Sequence, residues 1–356
     1  MALAAERRAP TEESGYTVNR GSVAKVWVVH GALWFGLIVY CWTAWVVSGD
    51  FTPNTIGRDL APDWYTAMCI GVEIFAAIVT AAILWIFVIR TKLRTGSLAF
   101  DGLFFLSCWL LFFQEPWINW TSLQFIYTTS MINFGSWVDH IPGWSAPNGA
   151  LMPVGLVYGT MYLWLVGIPS YYTSKFMTRM TARNPGIGIF KLLGVTFGAL
   201  VVFDLVLETV IVRTGLFSYG ATIPSLTLFA GTEHQFPLYE TLSWCGTYLG
   251  LGCLHFFRDD RGRSLPERGI DSLRLGGRAN TFARFLAIAG ACQLVMLVTY
   301  NIPYQVYALH AGPIPKALQA KSWRMAGMCG PGTNYSCPAP GLPIARRSSP
   351  TNRITP

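Results

Sequence analysis

Charged side chains are scarce. Asp, Glu, Lys and Arg make up 12% of the 356 residues while 52% are hydrophobic, and a soluble domain carries about a quarter charged residues. That shortage excludes an ordinary soluble enzyme. Also missing are a CxxC pair, an HExxH helix, a P-loop and a dinucleotide glycine fingerprint, which removes the function classes those patterns mark. The five histidines (His30, His140, His234, His255, His310) are scattered, and none has a partner at i+3 or i+4. A histidine-rich metal site is therefore not expected, and neither is haem or any other cofactor. His30, His255 and His310 read as lone packing or interfacial residues.

What the chain does have is long apolar runs. A bilayer core about 30 Å thick takes about 20 apolar residues of helix. Seven such runs occur, near 26–48, 66–90, 102–126, 150–172, 189–212, 236–257 and 283–309. The expected fold is all-α, a polytopic membrane bundle with about seven transmembrane helices. One transmembrane domain, 23–311, is expected between a disordered N-terminus, 1–22, and a disordered Pro/Gly-rich tail, 312–356. No internal repeat relates two halves, which argues against a secondary transporter.

The net charge of +8 does not mark a nucleic-acid binder, because Lys and Arg collect in alternate loops. Arg7, Arg8, Arg20 and Lys25 precede the first run, and Arg90, Lys92 and Arg94 follow the second. Lys175, Arg179, Arg183 and Lys191 follow the fourth, and seven arginines from Arg258 to Arg284 follow the sixth. The opposite loops hold only Arg58 and Arg213. The positive-inside rule then puts the N-terminus in the cytoplasm and the C-terminus outside, in a multi-pass protein of a bacterial cytoplasmic membrane. The basic tail, from Lys316 to Arg353, is the one dissenting feature.

Six of the eight cysteines lie in apolar runs and read as packing residues. Cys329 and Cys337 lie in the tail segment CGPGTNYSC, and both a short disulfide loop and two free thiols suit that position. Three small-xxx-small pairs, Gly155 with Gly159, Gly194 with Gly198 and Gly246 with Gly250, suit close helix packing in lipid.

The informative feature is a set of acids within the apolar runs: Glu73, Glu115, Asp204, Glu208 and Glu240, with no Lys or Arg in mid-helix to neutralise them. Each costs a few kcal/mol in hydrocarbon when ionised, so they are expected to face a shared interior cavity. Helix rise puts Glu115, Asp204 and Glu208 about 21, 22 and 28 Å from the cytoplasmic ends, and Glu240 and Glu73 about 6 and 10 Å from the outer ends. All five fall in the outer half of the bilayer. Asp204 and Glu208, like Glu115 and Asn119, are four apart and share a helix face, and Asn301 with Tyr304 adds polar groups beside Pro303. Pro116 should loosen the helix at Glu115. The bland alternative is a set of interhelical hydrogen bonds that only hold the bundle together. In the outer loop Asn133–Trp144, Asp139 beside His140 suits either a proton-handling pair or a loop-fixing contact. Trp137 and Trp144 suit either the site or an interfacial belt.

At QEPWINW, Gln114 to Trp120, and at NFGSWVDHIPGW, Asn133 to Trp144, the sequence resembles the spirocyclase family typified by the avermectin-pathway AveC protein. The resemblance spans about 25–310 and implies spiroketal formation in a lipophilic polyketide-like small molecule, in which a dihydroxy-ketone closes twice with loss of water. Ketal closure needs an acid, a negative group near the oxocarbenium ion and a base, and buried carboxyls supply these. The expected catalytic set is Glu115, Asp204, Glu208, Asp139 and His140. Asn119, Trp117, Trp120, Trp137, Glu73, Glu240, Asn301 and Tyr304 are expected to bind substrate. Two other readings remain open: a terpenoid-type cationic cyclase, whose cation an acidic and aromatic pocket also suits, and a non-enzymatic lipid or sterol binding or transport protein.

Overall fold

The computed structural model describes residues 20–340 and 346–347. Residues 1–19 and most of 341–356 lie outside the described residues, so the expectation for the N-terminal segment concerns only its last three positions, which already belong to the first helix. We number eight principal helices: α1 (Arg20–Val47), α2 (Asp63–Thr95), α3 (Phe100–Leu110), α4 (Glu115–Trp120), α5 (Gly167–Arg183), α6 (Ile189–Thr214), α7 (Leu238–Phe256) and α8 (Gly277–Ala308). Four of them are long and apolar enough to cross a membrane: α1 over Val23–Val47, and α2, α6 and α8 over their whole lengths.

These four are built inside out. On α6 the buried stripe at every fourth position is Leu192, Thr196, Leu200, Asp204, Glu208 and Val212, while Val202, Val206 and Val210 are exposed. Ile70, Ile74 and Ile78 are exposed on α2, and Val298, Ile302 and Val306 on α8. Apolar stripes facing outward and polar groups facing inward are the reverse of a soluble bundle, and they suit a hydrocarbon solvent.

The other three apolar runs do not form continuous helices of that kind. Run 102–126 is α3, a 3-10 turn over Leu111–Gln114, and α4, which ends at Trp120. Pro116 has no N–H to donate to the Phe112 carbonyl, which resets the helix there. The chain then unwinds through Ser122 and Leu123, at φ 54° and 48°, into β1 (Phe125–Ile126). This pairs antiparallel with β2 (Ser218–Tyr219), Phe125 opposite Tyr219 and Ile126 opposite Ser218. Gly220 N–H donates to the Gln124 carbonyl and Ala221 N–H to that of Ser122, so the unwound backbone is satisfied by protein. Run 150–172 begins with irregular backbone and a π-turn over Tyr162–Val166 before α5, and α7 has 19 residues with several polar ones.

α1 lies along α8 and α7 lies between α5 and α6. The tightest backbone crossing between two of these helices is at a glycine pair that the three expected pairs did not include. A Cβ on Gly31 would stand 1.8 Å from the Leu286 carbonyl oxygen, and one on Gly290 2.7 Å from the Gly31 nitrogen. Of the expected pairs, Gly194 and Gly198 face open space, while Gly250 packs on Val295 and Gly159 on the Phe112 ring. Gly31→Val is expected to lower the melting temperature in detergent by roughly 5–10 °C, whereas Gly36→Val, on the same helix with nothing within 4 Å, should leave it unchanged.

A ladder of amides joins the centre of the bundle. Gln114 Nε2 donates to Gln293 Oε1 (2.7 Å), Asn301 Nδ2 to Gln114 Oε1 (3.2 Å), Gln305 Nε2 to Asn301 Oδ1 (3.2 Å) and Thr121 Oγ1 to Gln305 Oε1 (2.7 Å).

The tail corrects the expectation of disorder after residue 312. Its described part is a folded cap with Leu318, Trp323, Arg324, Met325 and Met328 buried. Thr129 N–H donates to the Trp323 carbonyl (3.1 Å), Asn54 Nδ2 to that of Ala326 (2.8 Å) and Asn148 Nδ2 to that of Met328 (3.3 Å). Gly and Pro set the turns, but these apolar anchors bury enough surface to offset the ordering entropy. Cys329 and Cys337 form a disulfide within the cap.

Candidate functional site

Four of the five acids converge. Glu115 opens α4, its side chain buried under three donors: Asn119 Nδ2 donates to Oε1 at 3.0 Å, the Tyr127 hydroxyl donates to the same oxygen, and the Tyr162 hydroxyl donates to Oε2. Tyr127 is delivered by the unwound segment after α4, and Tyr162 by the π-turn before α5. A π-turn adds a residue to the helical turn and re-aims the side chains around it, a device common at functional sites.

Asp204 and Glu208 follow one another along the buried stripe of α6, and Glu240 comes from the first turn of α7. One carboxylate oxygen of each lies within 4.8 Å of the others. Tyr219, the β2 residue, donates to Glu208 Oε2 at 3.1 Å, and Tyr300 donates to Glu240 Oε1 at 3.2 Å. Tyr300 stands in the π-turn Leu297–Asn301 of α8, directly before Pro303, whose missing N–H favours such a break. Neither Asp204 oxygen makes a well-formed hydrogen bond, nor does Glu240 Oε2, and the neighbouring hydroxyls are Thr241 at Asp204 and Tyr219 at Glu240. Glu115 lies near Glu208, and Tyr158 lies near Glu115, Glu208 and Glu240 together. None of the ion pairs among the described residues involves these four acids.

Aromatic rings wall the cluster. Tyr300 stacks on Tyr304 with centroids 4.5 Å apart, and Trp244 lies 4.6 Å from Tyr300 and 5.5 Å from Tyr248. The Tyr304 hydroxyl and the Trp120 indole N–H have no partner, and neither has Asn119 Oδ1. The trio Asp204, Glu208 and Glu240 offers only oxygen atoms. It is able by geometry to share protons or a hard divalent cation, a set of candidate ligands that a search for histidine spacing passes over.

The remaining expected site residues lie elsewhere. Glu73 is buried apart from the cluster and accepts the Ile132 N–H at 2.9 Å. Asn301 belongs to the amide ladder. Trp137 is buried, donating its indole N–H to the Phe113 carbonyl at 3.0 Å, and Trp117 meets Trp144 edge to face. Asp139 and His140 do not pair with each other. Asp139 Oδ2 accepts the Ala150 N–H at 3.2 Å, and His140 Nε2 lies 3.0 Å from Asp50 Oδ2. They are consecutive in a 3-10 turn and diverge, so they fix the loop and do not join the acids. Burial raises the Asp139 carboxyl above its ordinary value, and the Ala150 N–H opposes that.

The rest of the NFGSWVDHIPGW segment works the same way. Asn133 exchanges hydrogen bonds with the Asn54 backbone at 3.0 and 3.3 Å. Gly135, at φ 75°, passes so close to the Ala150 carbonyl that a Cβ would stand 2.1 Å from it. The tyrosines Tyr127, Tyr162, Tyr219 and Tyr300 escape a sequence reading, since no local spacing ties any of them to an acid on another segment.

A mostly helical chain with four membrane-length helices and a buried cluster of carboxyls walled by tyrosine is a protein of membrane character built round an acidic core. The chain belongs to the AveC-like spirocyclase family: the family model, described as Spirocyclase AveC-like, matches residues 97–323, nearly two thirds of the chain. The matched region holds all four converging acids and their tyrosines, and leaves out α1, α2 and Glu73. No curated protein and no solved structure matches the chain.

Proposed function

We propose that the chain is an integral membrane enzyme of the spirocyclase type that closes a lipophilic dihydroxy-ketone into a spiroketal within the chamber of Glu115, Asp204, Glu208 and Glu240. Its bundle crosses a bacterial cytoplasmic membrane with about seven helical segments, N-terminus inside and tail outside. The outward apolar stripes, the arginine-rich loop between α7 and α8 and the disulfide in the tail cap support that orientation. The observation that carries the reaction is the convergence of the Asp204, Glu208 and Glu240 carboxyls, with Glu115 near Glu208, without a neutralising cation in a region the family model covers.

The chemistry divides between two groups. Three carboxyls as close as Asp204, Glu208 and Glu240 cannot all be charged, so the trio shares protons and supplies the acid. Glu115, which accepts from three donors, has the hydrogen bonding of a carboxylate and takes up a proton. One substrate hydroxyl adds to the ketone carbon to give a hemiketal. The trio then protonates the hemiketal hydroxyl, which departs as water, and the resulting oxocarbenium ion faces carboxylate and aromatic rings. The second hydroxyl adds to that carbon and gives its proton to Glu115, from which it passes back to the trio and restores both groups. The net change is the loss of one water. Because the acids are buried, substrate reaches them only when part of the wall moves.

The test is conversion of a synthetic dihydroxy-ketone by the purified protein in detergent, followed by the mass loss of one water and by the enantiomeric excess of the product. Stereoselective closure without any gradient is expected. Racemic closure at the uncatalysed rate, or activity only in sealed, energised vesicles, would overturn the reading.

A further inference from the structure

A second polar site lies on the other side of the β1–β2 pair. Ser218 faces a cavity of about 450 Å³ while its neighbour Tyr219 reaches the acids. The outer ends of α2 and α6 and the tail cap enclose this cavity, and Trp64, Trp323, Arg213, Lys321 and Arg324 line it.

Arg324 is 3% exposed. Its guanidinium donates to the carbonyls of Ile126 (3.3 Å), Leu216 (3.4 Å) and Gly215, and lies over the Tyr65 and Trp323 rings at 5.1 and 4.9 Å. Carbonyl dipoles and ring faces hold the cation in place with no carboxylate in contact, Glu233 lying nearby, and its Nε has no partner. Arg213 lies over the Phe229 ring at 4.3 Å. Neither arginine has a carboxylate within ion-pair distance among the described residues.

Lys321 is paired with Glu233, whose carboxyl that contact holds below its ordinary value. His234 is occupied by the Val212 carbonyl at 3.2 Å. Three cationic side chains against one carboxylate leave two positive charges in a cavity with low-dielectric walls, which focuses its field on an anion. Leu60, Pro62 and Trp64 supply an apolar flank beside the outer end of a membrane-length helix.

We propose that this cavity binds the oxyanion head, carboxylate or phosphate, of an amphiphile whose apolar chain lies along α2. The guanidinium fork of Arg213 meets the head group at the mouth, and the field of Arg324 holds it from within. This site does not depend on the chemistry proposed for the acidic chamber.

Titration calorimetry on the full-length protein in a neutral detergent tests it, with dodecanoate, dodecyl phosphate and dodecanol as probes. Both anions are expected to bind at least 10-fold tighter than the alcohol, and Arg213→Glu, at an exposed position that folding tolerates, should abolish the difference. Arg324→Lys, which keeps the charge but loses the fork, should weaken both anions if it folds, and Arg213→Glu decides the matter if it does not. Mass spectrometry of lipid carried through purification separates the sources. A phospholipid retained by the wild type and lost from Arg213→Glu marks a membrane lipid. Dodecanoate binding with no retained phospholipid marks a free acid. Equal affinity for dodecanoate and dodecanol, or a preference unchanged in Arg213→Glu, would overturn the site.

Discussion

Replacing Glu115 with Gln is expected to lower turnover by about 10²- to 10³-fold, the scale of a lost acid–base group, with little change in melting temperature. The amide has nearly the same volume, keeps its carbonyl oxygen as acceptor for Asn119 and Tyr127, and turns its NH2 toward the Tyr162 hydroxyl, which can accept, so the hydrogen-bonded frame survives while the proton acceptor is removed. Glu115→Leu separates the structural role from the chemical one. It leaves the donors of Asn119, Tyr127 and Tyr162 buried without their acceptor, at about 1–3 kcal/mol for each group left unsatisfied, so this variant should lose both stability and activity. Full turnover by Glu115→Gln would remove Glu115 from the reaction. A large drop in melting temperature for the same variant would make it a packing residue.

Asp204→Asn is expected to act in opposite directions on stability and activity. Both oxygens of Asp204 lie buried without a well-formed hydrogen bond, with the Thr241 hydroxyl the nearby donor and two other carboxyls beside them, an arrangement that the fold sustains at a cost. The amide removes a charge and gains an N–H that can donate to Glu208 or Glu240. The melting temperature should therefore rise by several degrees, for a gain of about 1–2 kcal/mol, while turnover falls about 10²-fold because the proton-sharing trio is broken. Because the three carboxyls act as a unit, adding Glu208→Gln should cost little more than the worse single change. Thermal melts in detergent alongside single-turnover assays check both halves. A less stable Asp204→Asn with undiminished turnover would show that the trio only fastens α6 to α7.

Much of this was legible in the residues and much was not. The buried stripe of α6 follows from Asp204 and Glu208 being four apart in an apolar run, and the break at Glu115 follows from Pro116. Glu73 has the same character as the other acids and a similar depth, yet it ends on the Ile132 N–H. Depth along a helix is a local quantity, whereas the direction a side chain faces depends on how that helix is rotated against its neighbours. The motif NFGSWVDHIPGW is informative as a signature of the family and misleading as chemistry. Its Asn133, Gly135, Asp139 and His140 lock a loop to Asn54, Ala150 and Asp50, contacts that bridge distant parts of the chain. The fold of the tail is not legible in its residues, because its Gly and Pro content outweighs a few apolar anchors when only composition is considered.

From its residues alone, the chain is helical, apolar enough for a bilayer and supplied with carboxyls that hydrocarbon could not solvate. These follow from periodicity and transfer energies that act over a few residues. The tertiary structure decided which carboxyls meet, since Tyr127 and Tyr219 reach Glu115 and Glu208 only because β1 pairs with β2 across more than ninety residues of chain. Such a pairing is set by global packing, and no local pattern of side chains encodes it.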